Sequence, residues 1–500
     1  MPTTLVTAAI PYVNAAPHLG YAYELVQADV AARALRATGH AVRLTTGTDD
    51  NSLKNVLAAE AVGEDAAAFV DRHANRFAAL EAPLGLALDD FVRTSRDERH
   101  RAAVERIWTA AEAAGDLYRR DYVGDYCVGC EQFWRPDELV DGRCPEHLSP
   151  TERVEELNWF FRLSRYRDRL HRLISDDAIE IRPEPFRREA LAFVERGLDD
   201  LSVSRSAERA RGWGLPVPGD PSQVVYVWFD ALTNYLSALD WGGAGPGAWR
   251  ALDERIHVIG KGILRFHAIY WPAFLASAGE PPPTRIRVHP YLTVDGRKLS
   301  KSAGASIDPT SVVEATSTDA LRWAFARDVG DVADTDVSID RIVERADDEL
   351  ANGIANAAHR ITTLVARHLD GVVAPGPVDE VIDERCAAAT AALAAIELRD
   401  GSRALAEAID RLNATISATE PWVIARDPDR RDELAAVLGS HLAGVRRIAT
   451  TLAPICPGLS ARLLHLTAGS PLPTPTPALA RLRRRPPAAG RRAPGPGIVT

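Results

Sequence analysis

Two stretches far apart in the chain carry residue types suited to phosphate chemistry. The first, Ile10 to Tyr21, follows a short strand-like run (Leu5, Val6, Thr7) and precedes a long Ala-rich helical pattern, with His18 and Gly20 at the junction. Pro11 and Pro17 keep the turn out of helix, Gly20 admits a close approach to the backbone, and the helix start directs free N–H groups at any anion above it. A histidine at such a mouth serves either as a helix cap or as a nucleotide contact. The second stretch, Asp295 to Ser302, is a glycine turn bearing Lys298 and Lys301, with Ser300 and Ser302 beside them. Ammonium groups on a loop can follow charge as it develops on a leaving pyrophosphate, although the same composition also describes a solvated basic loop.

A metal signal lies between them. Cys127 and Cys130 form one Cys-x-x-Cys hairpin, and Cys144 with His147 forms a second Cys-x-x-ligand hairpin thirteen residues on, with Pro136 and Gly142 in the connection. Two such hairpins at that distance build a tetrahedral Zn²⁺ site. Four protein ligands leave no position open for water, so the metal is expected to be structural. His147 is the member that would also be at home in solvent.

These residues need elements to hold them. Up to about residue 115, strand-like runs alternate with Ala-rich helices, the βαβ rhythm of a parallel sheet. Gly47, Thr48 and Asp49 end the second strand, where open α/β sheets bind ligands. Asp49 either caps the next helix or faces a substrate ammonium. Residues 156–201 read as amphipathic helix rich in Arg and Glu. Val224 to Trp228 and Ile256 to Gly260 then read as a resumption of the parallel sheet, which makes 116–222 an insertion between two halves of one nucleotide-binding domain. Tyr12, Trp228 and Tyr235 each lie just beyond a strand end, as core residues or as the wall of a small apolar pocket.

The domain reading is therefore 1–115 and 223–290 for the two halves of a split Rossmann-type α/β domain, and 116–222 for the zinc-knuckle insertion. The lysine loop and a following segment occupy 291–346, an α-helical bundle 347–470, and a flexible tail 471–500 rich in Pro, Gly and Arg. At 500 residues, several domains are expected. The composition, 46% hydrophobic and 26% charged with no apolar run of about 18 residues, fits a globular chain with no membrane span. The start has no leader pattern, so a cytoplasmic location is expected. Five cysteines do not make a disulfide framework. A net charge of −10 argues against a non-specific nucleic-acid binder while leaving room for a local basic face.

The two phosphate-type stretches resemble the paired signatures of class I aminoacyl-tRNA synthetases, His-Ile-Gly-His and Lys-Met-Ser-Lys-Ser. The order of split nucleotide fold, zinc knuckle, lysine loop and helical bundle resembles the methionyl-tRNA synthetase family over almost everything before Pro471. That resemblance implies ATP-dependent activation of L-methionine as the adenylate, then transfer to tRNA(Met) with release of AMP and diphosphate. It implies Mg²⁺ on the phosphates and structural Zn²⁺. His18, Lys298 and Lys301 would stabilise the reacting phosphates, and Gly20, Tyr21 and Ser300 would join them around ATP. Ile10, Tyr12, Asp49, Trp228, Ala231, Tyr235, Ile263 and His267 match the methionine pocket, the aspartate holding the ammonium and the aromatics enclosing the thioether. Asn356, Arg360 and Trp422 fall where the family reads the anticodon by hydrogen bonding and stacking on splayed bases. Arg205 and Trp271 match positions near the amino-acid site. The family's dimers carry an additional C-terminal domain, so a monomer is expected.

Several positions depart from the family pattern. Tyr21 replaces the second signature histidine, Asp50-Asn51-Ser52 lacks the His-Gly expected after Asp49, Gly262 stands where an aspartate grips the ATP ribose, Pro290 replaces the glycine after His289, and Leu299 replaces methionine. Losing the ribose carboxylate removes a charge-assisted hydrogen bond of about 1.5–3 kcal/mol. Two other readings stay open on these grounds: a synthetase-like paralogue that adenylates an amino acid and passes it to a small molecule or peptide, and an RNA-binding module with a decayed site. His18 and the two lysines weigh against the latter.

Overall fold

Six parallel strands position the first signature turn. They are β1 (Thr3–Ala8), β2 (Ala41–Thr48), β3 (Asp90–Arg93), β4 (Glu180–Arg182), β5 (Glu254–Gly260) and β6 (Arg285–His289), in the order β3-β2-β1-β5-β6-β4. All five pairings are parallel. The computed structural model describes residues 1–129, 132–134, 136–145, 148–245, 247–294, 297–298 and 307–482.

β1 is buried from Thr4 to Ala8, as a central parallel strand covered on both faces must be. Strand order reverses between β1 and β5, and the crevice beyond their carboxyl ends is where an open α/β sheet receives its ligand. The chain leaves β1 into Ile10–Tyr21 and leaves β5 into Lys261–Ile263, so both segments open on that crevice. The helix Leu19–Ala37 follows the signature turn and is buried along most of its length.

The segment 116–222 departs from the sequence reading in two ways. Residues 152–161 form a strand, antiparallel to Leu117–Cys127 from Leu117↔Phe161 to Tyr126↔Glu152, and not the start of a helix. Val154, Asn158 and Phe160 are buried with Glu155, Leu157 and Trp159 more exposed between them, a period of two that ends where Phe161 is also buried and that the abundance of Arg and Glu masks. Helices Arg167–Ser175 and Glu184–Glu195 then flank β4, which pairs with β6 at the edge of the central sheet. The insertion thus returns a strand to the domain it interrupts. Val224 to Trp228, expected to resume the parallel sheet, instead divides: Val224 and Val225 end a strand, Asp220–Val225, that pairs antiparallel with Ser204–Ser206 and Pro216–Val217 in a sheet of its own, and Val227 and Trp228 already begin the helix Val227–Leu232. An apolar run of that length does not distinguish a parallel partner from an antiparallel one.

The chain divides into two compact units. The first comprises 1–309, 329–336 and 392–398, and the second 310–328, 337–391 and 399–500. The second unit is helical, with Thr318–Asp328, Asn356–His368, Arg431–Leu452 and Pro457–Leu466 among its elements. Helix Asn356–His368 buries Ala357, Ala358, Ile361, Thr362 and Val365, a single stripe at helical spacing that leaves Asn356 and Arg360 beside it. Inside this unit the fully buried Arg322 donates to the Ile455 and Pro454 carbonyls at 2.7 and 2.8 Å, satisfying a chain reversal between two helices.

Gly47, near the end of β2, has no room for a side chain: a Cβ there would lie 2.0 Å from the Val92 carbonyl oxygen of β3. Gly47→Ala is expected to force β2 and β3 apart and cost about 1–3 kcal/mol or more, measured as a lowered denaturation midpoint with unchanged denaturant slope.

Candidate functional site

The helix Leu19–Ala37 begins at His18, whose Nδ1 accepts the Tyr21 N–H at 3.3 Å. Gly20 makes this possible, since a Cβ there would sit 3.1 Å from the imidazole. His18 is thus the helix cap, one of the two roles the sequence left as alternatives. The Leu19 N–H donates to the Ile307 carbonyl at 3.1 Å, so the chain emerging from the lysine loop is fastened to the same helix start. Ser300, Lys301 and the side chain of Lys298 lie outside the described residues.

Tyr21 turns away from the mouth. Its hydroxyl bonds Thr46 Oγ1 at 3.1 Å, its ring meets Phe77 edge-on, and burial pushes the phenol well up. A tyrosine is long enough to reach the sheet from this position. Below it, the buried Glu24 accepts the Gly260 N–H at 3.0 Å and pairs with His289 Nε2 at 3.1 Å. The sequence reading missed Glu24; its signal was a carboxylate two turns along an otherwise apolar helix face.

The residues expected to form the amino-acid pocket gather at the ends of β1, β2 and β5. Tyr12 and Asp49 form a parallel bridge, and the Asp49 N–H donates to the Pro11 carbonyl at 2.9 Å, which sets the aspartate beside the aromatic ring. Tyr12 meets Trp228 edge-on at 6.3 Å, and Trp228 stacks on Phe266 at 3.6 Å with 8° between planes. Phe266 was not singled out in the sequence, though it adjoins His267. Tyr12, Trp228 and Ile263 pack against the hydrophobic cluster that contains Tyr235. Ala231 is buried one turn of helix from Trp228, and Ile10 stands at the exit of β1.

The floor of the pocket is polar but neutral. His267 Nδ1 bonds the Ile263 carbonyl at 2.9 Å, an acceptor, so that nitrogen carries the proton and Nε2 accepts from the Tyr235 hydroxyl at 2.7 Å. Burial holds the imidazole down at about 4. Behind it, His257 Nδ1 bonds Thr7 Oγ1 at 2.7 Å and is also held well below its usual value by burial. A wall of this kind suits an uncharged, polarizable side chain, and the buried carboxylate of Asp49 belongs to the same group of residues.

Arg205 is buried, donating to Ser202 Oγ at 2.9 Å and the Ser204 carbonyl at 2.6 Å. Trp271 is fully buried, edge-on to Tyr235. Cys127 and Cys144 are both buried in one small cluster with Trp134. Cys130 and His147 lie outside the described residues, and among the described residues no group of three or more metal-type ligands is assembled. In the helical unit the Arg360 guanidinium lies 5.0 Å over the Trp422 ring, with Asn356 one helical turn away.

A family model for class I tRNA synthetases (M) matches residues 4–157 and 146–362. The methionine–tRNA ligase of Rhizobium meliloti is 39% identical over 480 residues, covering 93% of this chain and 91% of that protein. That of Thermotoga maritima is 38% identical over 473 residues, covering 91% and 73%. A solved structure of Mycobacterium tuberculosis methionyl-tRNA synthetase in complex with methionyl-adenylate has a TM-score of 0.86 at 36% identity, covering 93% of this chain and 94% of that one. The chain belongs to the class I tRNA synthetases, within their methionine-specific family.

The neutral floor has a pH signature. Above about pH 6.5 His267 is neutral whether the chain is folded or not, so its full contribution to stability is present. As pH falls from 6.5 toward 4, the unfolded chain takes up a proton that the native state refuses, and stability declines by roughly 3 kcal/mol from this group. Denaturation across pH 4–8 should show that decline in the wild type and a shallower one in His267→Leu.

Proposed function

We infer that the chain is a methionine–tRNA ligase, and the observation that carries this is the pocket in which Asp49 stands beside a neutral Tyr235–His267 floor under Tyr12 and Trp228. The ammonium of L-methionine pairs with Asp49, and the thioether enters the aromatic enclosure. This holds the carboxylate at the crevice between β1 and β5, toward the N-terminus of the helix that His18 caps. ATP enters the crevice as its Mg²⁺ complex, the metal neutralising phosphate charge.

A carboxylate oxygen of methionine attacks the α-phosphorus, the bond to the bridging oxygen breaks, and pyrophosphate leaves. The chain's groups perform little covalent work. Gly20 offers its N–H, the Leu19 and Tyr21 N–H groups being taken by the Ile307 carbonyl and by His18, His18 donates to the phosphorane, and Lys298, Ser300 and Lys301 meet the departing charge from the opposite side. The terminal ribose hydroxyl of tRNA(Met) then attacks the acyl carbon and AMP departs.

Asn356, Arg360 and Trp422 offer the anticodon an arginine-backed indole and an exposed amide. The enzyme acts in this reading as a cytoplasmic monomer. Among the described residues no helix is long and apolar enough to cross a membrane.

Zn²⁺ fits the insertion, because two thiols that the sequence separates by sixteen residues, Cys127 and Cys144, are buried together against Trp134. Cys130 and His147 would complete a closed tetrahedral set. Such an ion contributes folding energy where the knuckle closes and takes no part in the reaction.

Amino-acid-dependent pyrophosphate exchange followed by tRNA charging tests the whole reading: methionine alone among the standard amino acids should support brisk exchange, and tRNA(Met) should be charged. Trp422→Ala is expected to lower kcat/KM for tRNA about tenfold, corresponding to the loss of a stack of ~1–3 kcal/mol, with exchange near wild type. Lys301→Ala should instead cut exchange itself.

Elemental analysis should return one zinc per chain. Cys130→Ser should lose the metal and expose residues 117–161 to hydrogen exchange, leaving the helical unit protected.

A further inference from the structure

Asp230 lies between Trp228 and Ala231, yet it takes no part in the pocket surface. It is buried, and both of its carboxylate oxygens are engaged. Oδ1 bonds Nε2 of the fully buried His100, and Oδ2 accepts from Asn51 Nδ2 at 2.7 Å. His100 Nδ1 continues the chain to Ser237 Oγ at 2.9 Å, on the helix turn that carries Tyr235.

Asn51 belongs to the turn that follows Asp49, and that turn is pinned along its backbone. Asn55 Nδ2 donates to the Asp49 and Asp50 carbonyls at 3.0 and 2.9 Å, and Trp213 Nε1 donates to the Asp50 carbonyl at 2.8 Å. Asp50 itself points away, to Arg93 and Ser95. The Asn51 side chain therefore connects the rigid turn at the ammonium end of the pocket to the helix at its thioether end.

We propose that Asn51, Asp230 and His100 are positioning residues that set the depth of the amino-acid pocket, the separation between Asp49 and the wall made by Trp228 and Ala231. The inference rests on the methionine reading and adds to it a determinant of side-chain length. None of the three residues touches the substrate. They act through Asp49, Trp228 and Tyr235, and a tether that fixes two binding elements alters substrate affinity and discrimination before it alters the chemical step.

Pyrophosphate exchange with methionine and with its S-ethyl homologue, ethionine, on the full chain separates this role from a merely structural one. Asn51→Ala should raise KM for methionine about tenfold while kcat and KM for ATP stay within about twofold. It should also raise the ethionine-to-methionine ratio of kcat/KM at least fivefold. Asn51→Asp sets two carboxylates against each other and should be worse.

The exchanged pair Asn51→Asp with Asp230→Asn restores one donor and one acceptor. It also leaves an amide oxygen for His100, and should return KM for methionine to within about threefold of wild type. Melting temperatures would establish that each variant is folded. Wild-type exchange with methionine that is unchanged in Asn51→Ala and Asn51→Asp, or a folded exchanged pair no better than Asn51→Asp, overturns the proposal alone. Wild type without methionine-dependent exchange overturns the functional reading and this inference with it.

Discussion

The pairing of β1 with β5 is the constraint on which the catalytic unit depends. Thr4–Ala8 and Glu254–Val258 are about 250 residues apart in the chain and adjacent in the sheet. Strand order reverses at that pairing, so the two crossovers leave toward opposite faces and a crevice opens above the strand ends. His18, Gly20 and Tyr12 enter it from one side, Ile263 and His267 from the other. Closing so long a loop costs only logarithmically with its length, which is why the fold tolerates an insertion between the halves of its active domain.

Neutral groups dominate the cluster around Tyr235 and His267. Tyr235, His267 and His257 are titratable, yet burial suppresses ionisation in each, raising the phenol and lowering both imidazoles. The hydrogen bonds from His267 to the Ile263 carbonyl and from Tyr235 to His267 satisfy buried polar atoms without creating charge. Charge stands beside these groups rather than among them, in the Asp49 carboxylate and in the Lys54 ammonium 4.4 Å over the Tyr12 ring. A crevice divided in this way meets an apolar group and a charged one each with the surroundings it requires.

The residues that depart from the family pattern are accommodated by bonds of their own. Tyr21 becomes part of the helix–sheet interface through Thr46 and Phe77. Asn51 binds Asp230. His289, next to Pro290, pairs with Glu24, which also caps the Gly260 N–H. Tyr21 and Asn51 thus each meet a buried partner.

Much of this was legible in the sequence, for reasons that are local. Pro11, Pro17 and Gly20 specify a turn through their own backbone preferences, the short β-branched run of β1 marks a strand, and the long Ala/Leu/Arg patterns mark the helical unit. Pairing partners were not legible. Residues 156–161 read as helix because Arg and Glu obscured the strand pattern, and the apolar run Val224 to Trp228 carried no mark of an antiparallel neighbour. β4 returning to the edge of the central sheet was invisible for the same reason. Nor could the sequence show that Asn51, His100 and Asp230 meet, or that Phe266 lies flat on Trp228. The chain by itself determined which chemical groups were present and which turns and helices would present them. Tertiary structure alone decided which of them touch, because strand pairing and side-chain contact are set by the whole core, and residues tens or hundreds apart leave no local trace of one another.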